Sequence, residues 1–272
     1  MKILVFGGTS YIGSALISLL IKNGDTAINI SRKEYKGIRN YPFDFNLDEL
    51  IKNELPDKII YFSTCFDNSD INAIVNTNIL KPLETINIAT QHKIKTFFIG
   101  SYWQFGDIKN TGIPIDLYSS SKKAFSSFIE YYNTYENANC TEIVLYGSYG
   151  VNDGRGKIID LLIENTKNKI PTDLSKGEQQ LNLSNVDNIV EVIYNILSMD
   201  NIEDKIEIKS SKNYTLNEIA TIFINKYGSK INLGEKKYRK AEVFHMPENN
   251  YKSIYINDTL LEYIDRMMKN NA

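Results

Sequence analysis

A tyrosine and a lysine four residues apart, Tyr118 and Lys122, form a pair suited to proton transfer. In a helix this spacing places both side chains on one face, one turn apart. A free tyrosine has a pKa of about 10 and is a poor base at neutral pH, but a nearby ammonium stabilises the phenolate and lowers that pKa. Ser101, at the end of a neighbouring predicted strand, could hydrogen-bond the same substrate oxygen. With a nicotinamide exchanging hydride at the adjacent carbon, these groups are sufficient for ketone reduction.

The Tyr-x-x-x-Lys spacing alone is a weak signal, because a chain rich in lysine and tyrosine contains it about once or twice by chance. The alternative interpretation is a pair on the surface of a helix. The order along the chain favours catalysis, since a glycine loop comes first, then a serine at a strand end, then the tyrosine and the lysine.

The glycine loop lies in Lys2–Gly13, an apolar run that ends in Gly7 and Gly8 and leads into helical apolar spacing. This pattern predicts a strand, a tight turn and the start of a helix. A dinucleotide pyrophosphate binds the unpaired N–H groups at such a helix N-terminus, where side chains in the turn would block it. Ser10 occupies the position of the usual middle glycine. The alternative is an ordinary strand-to-helix turn.

A second predicted strand, Thr26–Ile30, is followed by Ser31 and Arg32. An acidic residue at this strand end would bind the adenosine ribose hydroxyls and repel a 2′-phosphate. A guanidinium instead binds phosphate in a forked geometry. We therefore predict NADP(H) in preference to NAD(H), with a solvated basic loop as the alternative.

Strands and helices alternate in the first part of the chain, which predicts a Rossmann-type, doubly wound parallel α/β sheet. Further strands are predicted at Tyr41–Phe45, Lys58–Ser63 and Thr96–Gly100, and a long helix from Ile71 to about His92. Ligands bind such sheets beyond the carboxyl ends of the strands. We divide the chain into a dinucleotide-binding domain at 1–156 and a smaller α/β substrate-binding lobe at 157–272, with the chain re-entering the first domain.

The composition excludes several classes of function. The 272 residues carry a formal net charge of −2 and a pI near 5.8, which predict no binding to nucleic acid or an anionic membrane. Cys65 and Cys140 lack metal-ligand spacing, so neither a metal site nor a disulfide framework is predicted. No apolar run suits a signal sequence or a membrane span. We expect a reduced, cytoplasmic protein.

Together these features resemble the extended short-chain dehydrogenases/reductases of the NAD-dependent epimerase/dehydratase type, which act on nucleotide sugars. The resemblance covers nearly the whole chain. It rests on the glycine loop 7–13, Asn78, Ser101 with Gly106, Tyr118 with Lys122, Leu145–Gly150 with Asn152 and Asp153, Gly177–Gln179 and Val186–Asn188. Three segments are similar to bacterial reductases of nucleotide-linked 4-keto-6-deoxyhexoses, including the abequose-synthase type: Ser101–Gln104, Tyr149–Arg155 and Ser175–Gln179. Such enzymes make activated deoxysugars for surface polysaccharides.

The resemblance implies that Ser101, Tyr118 and Lys122 are catalytic, and that Lys122 also holds the nicotinamide ribose. The complete set of candidate cofactor-binding residues, including those already named, is Gly7, Thr9, Ser10, Tyr11, Ile12, Gly13, Ser31, Arg32, Asp44, Phe45, Phe62, Ser63, Thr64, Asn78, Tyr118 and Lys122. Asp44 and Phe45 match positions that contact the adenine ring. A homodimer through the helices at Ile71–His92 and Leu117–Glu136 is also expected from the family.

The departures from the family pattern concern the substrate. Tyr102 and Trp103 replace the acidic pair that follows the catalytic Ser/Thr in the family's 4,6-dehydratases, which disfavours dehydration. The usual substrate-binding Asn and phosphate-binding Arg fall at Gly147 and Leu181, yet a nucleotide diphosphate needs cationic partners. The candidate substrate-binding residues are Trp103, Arg155, Lys157, Gln179 and Arg239. For the cations the alternative is a solvated surface charge, and for Trp103 a buried loop anchor.

The predicted function is NADPH-dependent reduction of a nucleotide-linked 4-ketohexose to the 4-hydroxy sugar. An epimerase that retains NAD would use the same catalytic groups, but the basic strand end argues against it. A dinucleotide-sensing regulator without turnover is a third possibility, against which the intact catalytic set argues. The sequence leaves the nucleotide, the sugar stereochemistry and the oligomeric state open.

Overall fold

The secondary structure comes from a computed structural model that describes residues 1–107, 109, 112–239 and 242–269. The first part contains β1 (Lys2–Phe6), α1 (Tyr11–Lys22), β2 (Thr26–Ile30), β3 (Arg39–Tyr41), α2 (Leu47–Glu54), β4 (Lys58–Tyr61), α3 (Ile71–Val75), a π-helical turn (Asn76–Leu80), α4 (Lys81–Gln91), β5 (Lys95–Ser101), a 3₁₀ turn (Tyr102–Phe105), α5 (Leu117–Tyr135), β6 (Cys140–Leu145) and β7 (Gly147–Tyr149). The second part contains α6 (Ile158–Lys167), β8 (Thr172–Leu174), β9 (Gln180–Asn185), α7 (Val186–Ser198), β10 (Lys205–Ser210), β11 (Asn213–Thr215), α8 (Leu216–Tyr227), β12 (Ile231–Leu233), β13 (Lys252–Ile256) and α9 (Leu260–Lys269).

The central sheet has the order β13-β10-β6-β5-β4-β1-β2-β3. All of its pairings are parallel, which confirms the doubly wound α/β fold. Strands β10 and β13 bring the C-terminal part of the chain back to this sheet. The strand order reverses between β1 and β4, and in such sheets the crevice at that point binds ligands.

The sheet is buried on both faces because its strands alternate two apolar sets of side chains. In β1, Ile3 and Val5 pack with α1 and α7, whereas Leu4 and Phe6 pack with α2, α4 and α5. All four side chains are at most 1 % exposed. A strand buried on both faces is therefore fixed in register, and the turn that follows it is held rigidly.

A third apolar cluster lies outside the central sheet. Helices α6, α8 and α9 pack there around Tyr149 and Leu183, from the small sheet β11-β9-β7. Helices α6 and α9 therefore lie close to β7, which follows the central strand β6. Among the described residues, no helix is long and apolar enough to cross a membrane.

Two elements differ from the sequence-based prediction. The third strand covers Arg39–Tyr41 instead of Tyr41–Phe45, because Pro42 has no N–H to continue the ladder and a turn follows in which the Phe45 N–H donates to the Pro42 carbonyl oxygen. The long helix is present, but a π-helical turn at Asn76–Leu80 interrupts it. Such turns commonly occur at functional sites.

Candidate active site

The turn between β1 and α1 leaves room for a ligand against the backbone. Gly7 has φ +74°, and a Cβ there would lie 2.7 Å from the backbone of the loop after β4. A Cβ on Gly13 would lie 2.4 Å from the Gly7 carbonyl oxygen. Ser10 caps the helix, because its Oγ accepts from the Gly13 N–H at 3.2 Å. The N–H groups of Tyr11 and Ile12 have no intrahelical partner, so the turn fits the pyrophosphate of a dinucleotide.

Hydroxyl and guanidinium groups lie where β2 meets this turn. Thr9 Oγ1 and Ser31 Oγ are 2.7 Å apart. Arg32 is exposed and makes no ion pair or hydrogen bond with the described residues. Behind them lies buried Asn29, whose Nδ2 donates to the Lys33 carbonyl oxygen at 3.0 Å. The sequence alone did not identify Asn29 as part of this region, because a single amide inside a strand carries no recognisable signal.

The other predicted cofactor contacts lie at neighbouring strand ends. Asp44 is exposed in the turn after β3, and the Phe45 ring packs on Tyr41 with centroids 4.8 Å apart. Phe62 is buried directly after β4. Ser63 packs on the glycine turn. These residues all line the carboxyl edge of the sheet, and their contact with a cofactor remains a prediction.

Asn78, in the π-helical turn, holds the loop after β4. Its Oδ1 accepts from the Thr64 hydroxyl at 3.2 Å and from the Cys65 N–H at 2.8 Å. Its Nδ2 donates to the Cys65 carbonyl oxygen and to Ser121 Oγ, at 3.0 and 2.9 Å. The buried amide is therefore fully used within the protein, and it supports the loop and α5 directly. A contact between Asn78 and the cofactor remains a prediction.

Tyr118 lies in the first turn of α5 with its hydroxyl between two others. Burial raises its pKa to about 12, although hydrogen bonding with the Ser101 and Thr64 hydroxyls lowers it. The nearby Asp116, the N-cap of α5, raises it further. The Phe66 ring packs on the Tyr118 ring with centroids 4.7 Å apart. Tyr118 is therefore a protonated phenol at neutral pH and is available as a hydrogen-bond donor.

Lys122 lies one turn further along α5 and is 8 % exposed. Its Nζ donates to the carbonyl oxygen of Ile99, on β5, at 2.8 Å. Burial lowers its pKa to about 8, while the carboxylate of Glu142 raises it. The expectation that Lys122 lowers the pKa of Tyr118 is wrong for this structure, because burial of the phenol dominates and the ammonium is directed to the β5 backbone.

Sequence reasoning also missed a buried network beneath Ser101. The Ser101 N–H donates to Gln104 Oε1 at 3.0 Å, and Gln104 Nε2 donates to Glu142 Oε1 at 2.9 Å. The other oxygen of Glu142 accepts from Ser126 and from Tyr251, both at 2.6 Å. The carboxylate fixes which way the Gln104 amide faces, and the Gln104 amide in turn holds Ser101, the predicted catalytic residue.

Trp103 and Arg239 meet beside Ser101. The Arg239 guanidinium carbon lies 4.9 Å from the Trp103 ring centre. Its Nε and Nη2 donate to the two oxygens of Glu242, both at 2.7 Å. A stacked guanidinium held by a carboxylate is a preorganised partner for a phosphate.

Of the remaining substrate candidates, Lys157 lies within electrostatic range of Arg239. Burial lowers the pKa of Lys157, and Arg155 and Arg239 lower it further. Lys157 is therefore close enough to interact with each of the other two predicted cations, although the three come from two segments of the chain. Gln179 is half-buried on the loop before β9, and its Oε1 accepts from Ser175 Oγ at 3.4 Å.

The departures from the family pattern have structural reasons. A Cβ on Gly147 would lie 2.5 Å from the Leu183 side chain and 3.0 Å from the Asn182 carbonyl oxygen, so the pairing of β7 with β9 crowds any side chain at this position. Leu181 packs against the third apolar cluster. Tyr102 is buried and stacks on Tyr146 with centroids 4.8 Å apart. The residues at these three positions therefore serve packing. Tyr102 lies where the first residue of an acidic pair would otherwise follow Ser101.

A model of the NAD-dependent epimerase/dehydratase family matches residues 3–209. The chain belongs to this family. The resemblance inferred from the motifs is thereby confirmed. The family is described as one of NAD-dependent epimerases and dehydratases.

Two relatives carry the same name. A CDP-abequose synthase from Yersinia pseudotuberculosis is 32% identical over 287 aligned positions, which cover 99% of this chain and 100% of that protein. A CDP-abequose synthase from Salmonella muenchen is 25% identical, over 91% of this chain and 89% of that protein.

Solved structures share the fold at lower identity. A UDP-N-acetylglucosamine 4-epimerase from Methanobrevibacter ruminantium M1 has a TM-score of 0.81 at 16% identity, over 98% of this chain and 97% of that one. A dTDP-glucose 4,6-dehydratase from Bacillus anthracis in complex with NAD has a TM-score of 0.78 at 17% identity, over 100% and 97%. At these identities the similarity shows the fold alone.

Proposed function

We propose that the protein reduces the C4 ketone of a nucleotide-linked 4-keto-6-deoxyhexose with NADPH, a step of deoxysugar and surface polysaccharide biosynthesis. The observation that carries the proposal is the placement of the Tyr118 phenol beside the Ser101 hydroxyl at the carboxyl edge of the sheet, one helical turn from Lys122. A reduction requires a proton donor, whereas an epimerase must first remove a proton from the sugar hydroxyl. The Tyr118 phenol can supply that proton, and the basic end of β2, with Ser31 and Arg32, favours a reductase that exchanges NADPH over an epimerase that retains NAD.

In the proposed mechanism the hydroxyls of Ser101 and Tyr118 donate to the ketone oxygen and orient the sugar. When bound at the glycine turn, NADPH would supply the hydride to C4. As negative charge develops on the oxygen, Tyr118 transfers its phenolic proton to it, which makes the phenol a general acid. Although burial raises the pKa of Tyr118, hydrogen bonds from the Ser101 and Thr64 hydroxyls lower it, and these bonds stabilise the resulting phenolate until a proton returns. The Phe66 ring, packed on Tyr118, covers the phenol on one side.

The cofactor and nucleotide are proposed on separate grounds. The free guanidinium of Arg32 beside Ser31 supports a 2′-phosphate and hence NADPH. The shared name of the two relatives, CDP-abequose synthase, supports CDP as the nucleotide. Cationic side chains beside Trp103 would bind the diphosphate. Two unpaired cysteine thiols agree with a reducing, cytoplasmic location.

We also keep the homodimer as part of the proposal. Helices α3, α4 and α5 pack on one another and leave apolar side chains exposed. Val75 and Leu80 are 38% and 53% exposed, and Phe128, Tyr131 and Tyr135 on α5 are 38%, 48% and 73% exposed. Exposed apolar groups on adjoining helices are typical of a protein interface. Light scattering of the purified protein at micromolar concentration should give twice the chain mass, and Tyr131→Asp should shift it to the single mass.

The proposed reaction is tested by following NADPH absorbance with CDP-, dTDP-, GDP- and UDP-linked 4-keto-6-deoxyhexoses. We expect consumption with the CDP sugar, and faster consumption of NADPH than of NADH. Tight dinucleotide binding without consumption, together with interconversion of a 4-hydroxy sugar, would indicate an epimerase instead. Binding with no turnover of any sugar would indicate a regulator.

A further inference from the structure

Arg155 lies against the cofactor-binding turn, although sequence reasoning grouped it with the substrate. Its guanidinium carbon is 4.5 Å from the centre of the Tyr11 ring. Tyr11 is the first residue of α1, where two backbone N–H groups have no intrahelical partner. The Tyr11 phenol also donates to the Val151 carbonyl oxygen at 3.4 Å. The segment between β7 and α6 is thus attached to the glycine turn at two points.

A buried carboxylate fixes the guanidinium in this position. The side chain of Asp153 is 0% exposed, and its oxygens accept from Nε and Nη2 of Arg155, both at 2.5 Å. Nη2 also donates to Ser148 Oγ at 2.9 Å. Nη1 makes no hydrogen bond with the described part of the chain, and 33% of the side chain is exposed. One edge of the fork is therefore free to bind an anion.

The charges around Arg155 indicate which anion the free edge of its guanidinium binds. Burial raises the pKa of Tyr11, the first residue of α1, and Asp153 and Asp160 both raise it further, so two carboxylates lie close to the glycine turn. Without Arg155 they would repel a pyrophosphate bound there. Arg239 instead contacts Trp103, next to the catalytic serine, which is where the sugar must lie.

The structure assigns Arg155 to the pyrophosphate of the dinucleotide, and not to the diphosphate of the nucleotide sugar. The assignment rests on the proposed function, because it requires a dinucleotide bound at the glycine turn. Arg155 adds a charged donor to a turn that otherwise offers backbone N–H groups. Arg239 and Lys157 are then left for the substrate.

The test is calorimetric titration of three ligands: NADP⁺, 2′-AMP, which has no pyrophosphate, and CDP. The variant is the double substitution Asp153→Asn with Arg155→Gln, which removes the guanidinium and its buried counter-charge together. The matched control is Arg239→Gln with Glu242→Gln, since that pair has the same bidentate geometry. Arg155→Lys, which keeps the ion pair, decides the question if the double variant does not fold.

We expect the Asp153/Arg155 variant to bind NADP⁺ about tenfold more weakly, with 2′-AMP and CDP affinities unchanged. Arg155→Lys should weaken NADP⁺ binding roughly threefold because a lysine lacks the fork. The Arg239/Glu242 variant should weaken CDP alone. Weakened CDP binding in the Arg155 variants with NADP⁺ unchanged, or no change for either ligand, would overturn the assignment. Failure of the wild type to bind NADP⁺ at all would instead overturn the proposed function.

Discussion

Replacement of Lys122 by methionine should abolish reduction and yet make the folded protein more stable at neutral pH. The ammonium is buried, and burial lowers its pKa from the ordinary 10.5 to about 8. Between these values the unfolded chain holds the proton that the folded protein has released. The stability of the wild type therefore rises with pH across this window. Below pH 8 the folded protein carries the full cost of burying the charge.

The size of the effect follows from the two pKa values. A folded-state pKa of about 8 against 10.5 unfolded corresponds to a cost of about 3 kcal/mol at pH 7, which falls to about 1 kcal/mol at pH 9.5. Methionine removes this cost but also the hydrogen bond from Nζ to the Ile99 carbonyl oxygen, which is worth about 1 kcal/mol. Lys122→Met should therefore gain about 2 kcal/mol at pH 7 and little or nothing at pH 9.5.

The assay is guanidinium-induced unfolding followed by the fluorescence of Trp103, the single tryptophan, at both pH values. The matched control is Lys123→Met, which removes an exposed lysine from the same helix and should change stability by less than about 0.5 kcal/mol. If Lys122→Met is less stable than the wild type at pH 7, or if its difference from the wild type is the same at both pH values, Lys122 is not a buried charge of the kind described.

Three further predictions concern the reaction. Tyr118→Phe should lower kcat by about 10²–10⁴-fold and leave NADP⁺ affinity within twofold, as measured by turnover and calorimetry. The control, Tyr255→Phe at an exposed tyrosine, should change neither kcat nor affinity. Turnover that survives in Tyr118→Phe would mean that the assigned acid is wrong. Arg32→Ala should raise the KM for NADPH about tenfold and leave that for NADH unchanged, with Lys33→Ala as control; equal losses with both cofactors would count against a 2′-phosphate site. Glu142→Gln should lower kcat about tenfold, because the Gln104 amide is no longer held in one orientation, and should change the substrate KM little. A rise in KM alone would refute a positioning role for Glu142.

The placement of the proposed catalytic residues was predictable because its signal is local and ordered. The spacing of Tyr118 and Lys122 follows from helix geometry, and Ser101 follows from the alternation of strands and helices. The pKa of Tyr118 was predicted in the wrong direction, because it depends on how deeply the phenol is buried and on where the ammonium is directed. Both properties arise only when β5 and α5 pack together.

The supporting residues could not be predicted for the same reason. Gln104 and Glu142 are 38 residues apart and become partners only through the pairing of β5 with β6. The requirement for glycine at Gly147 comes from Leu183 on another strand. No local sequence pattern around Arg155 predicts its contact with Tyr11, since that contact is set by the path of the chain between β7 and α6.

The most direct test of the central claim is the fate of the transferred hydride. The protein is incubated with NADPH deuterated on one face of nicotinamide C4 or on the other, and with the CDP-linked 4-keto-6-deoxyhexose, and the product is examined by NMR. Reduction as proposed gives one deuterium at C4 of the sugar, from one of the two labelled cofactors only, in equal amount to the NADPH consumed. A sugar product without deuterium from either cofactor would contradict it.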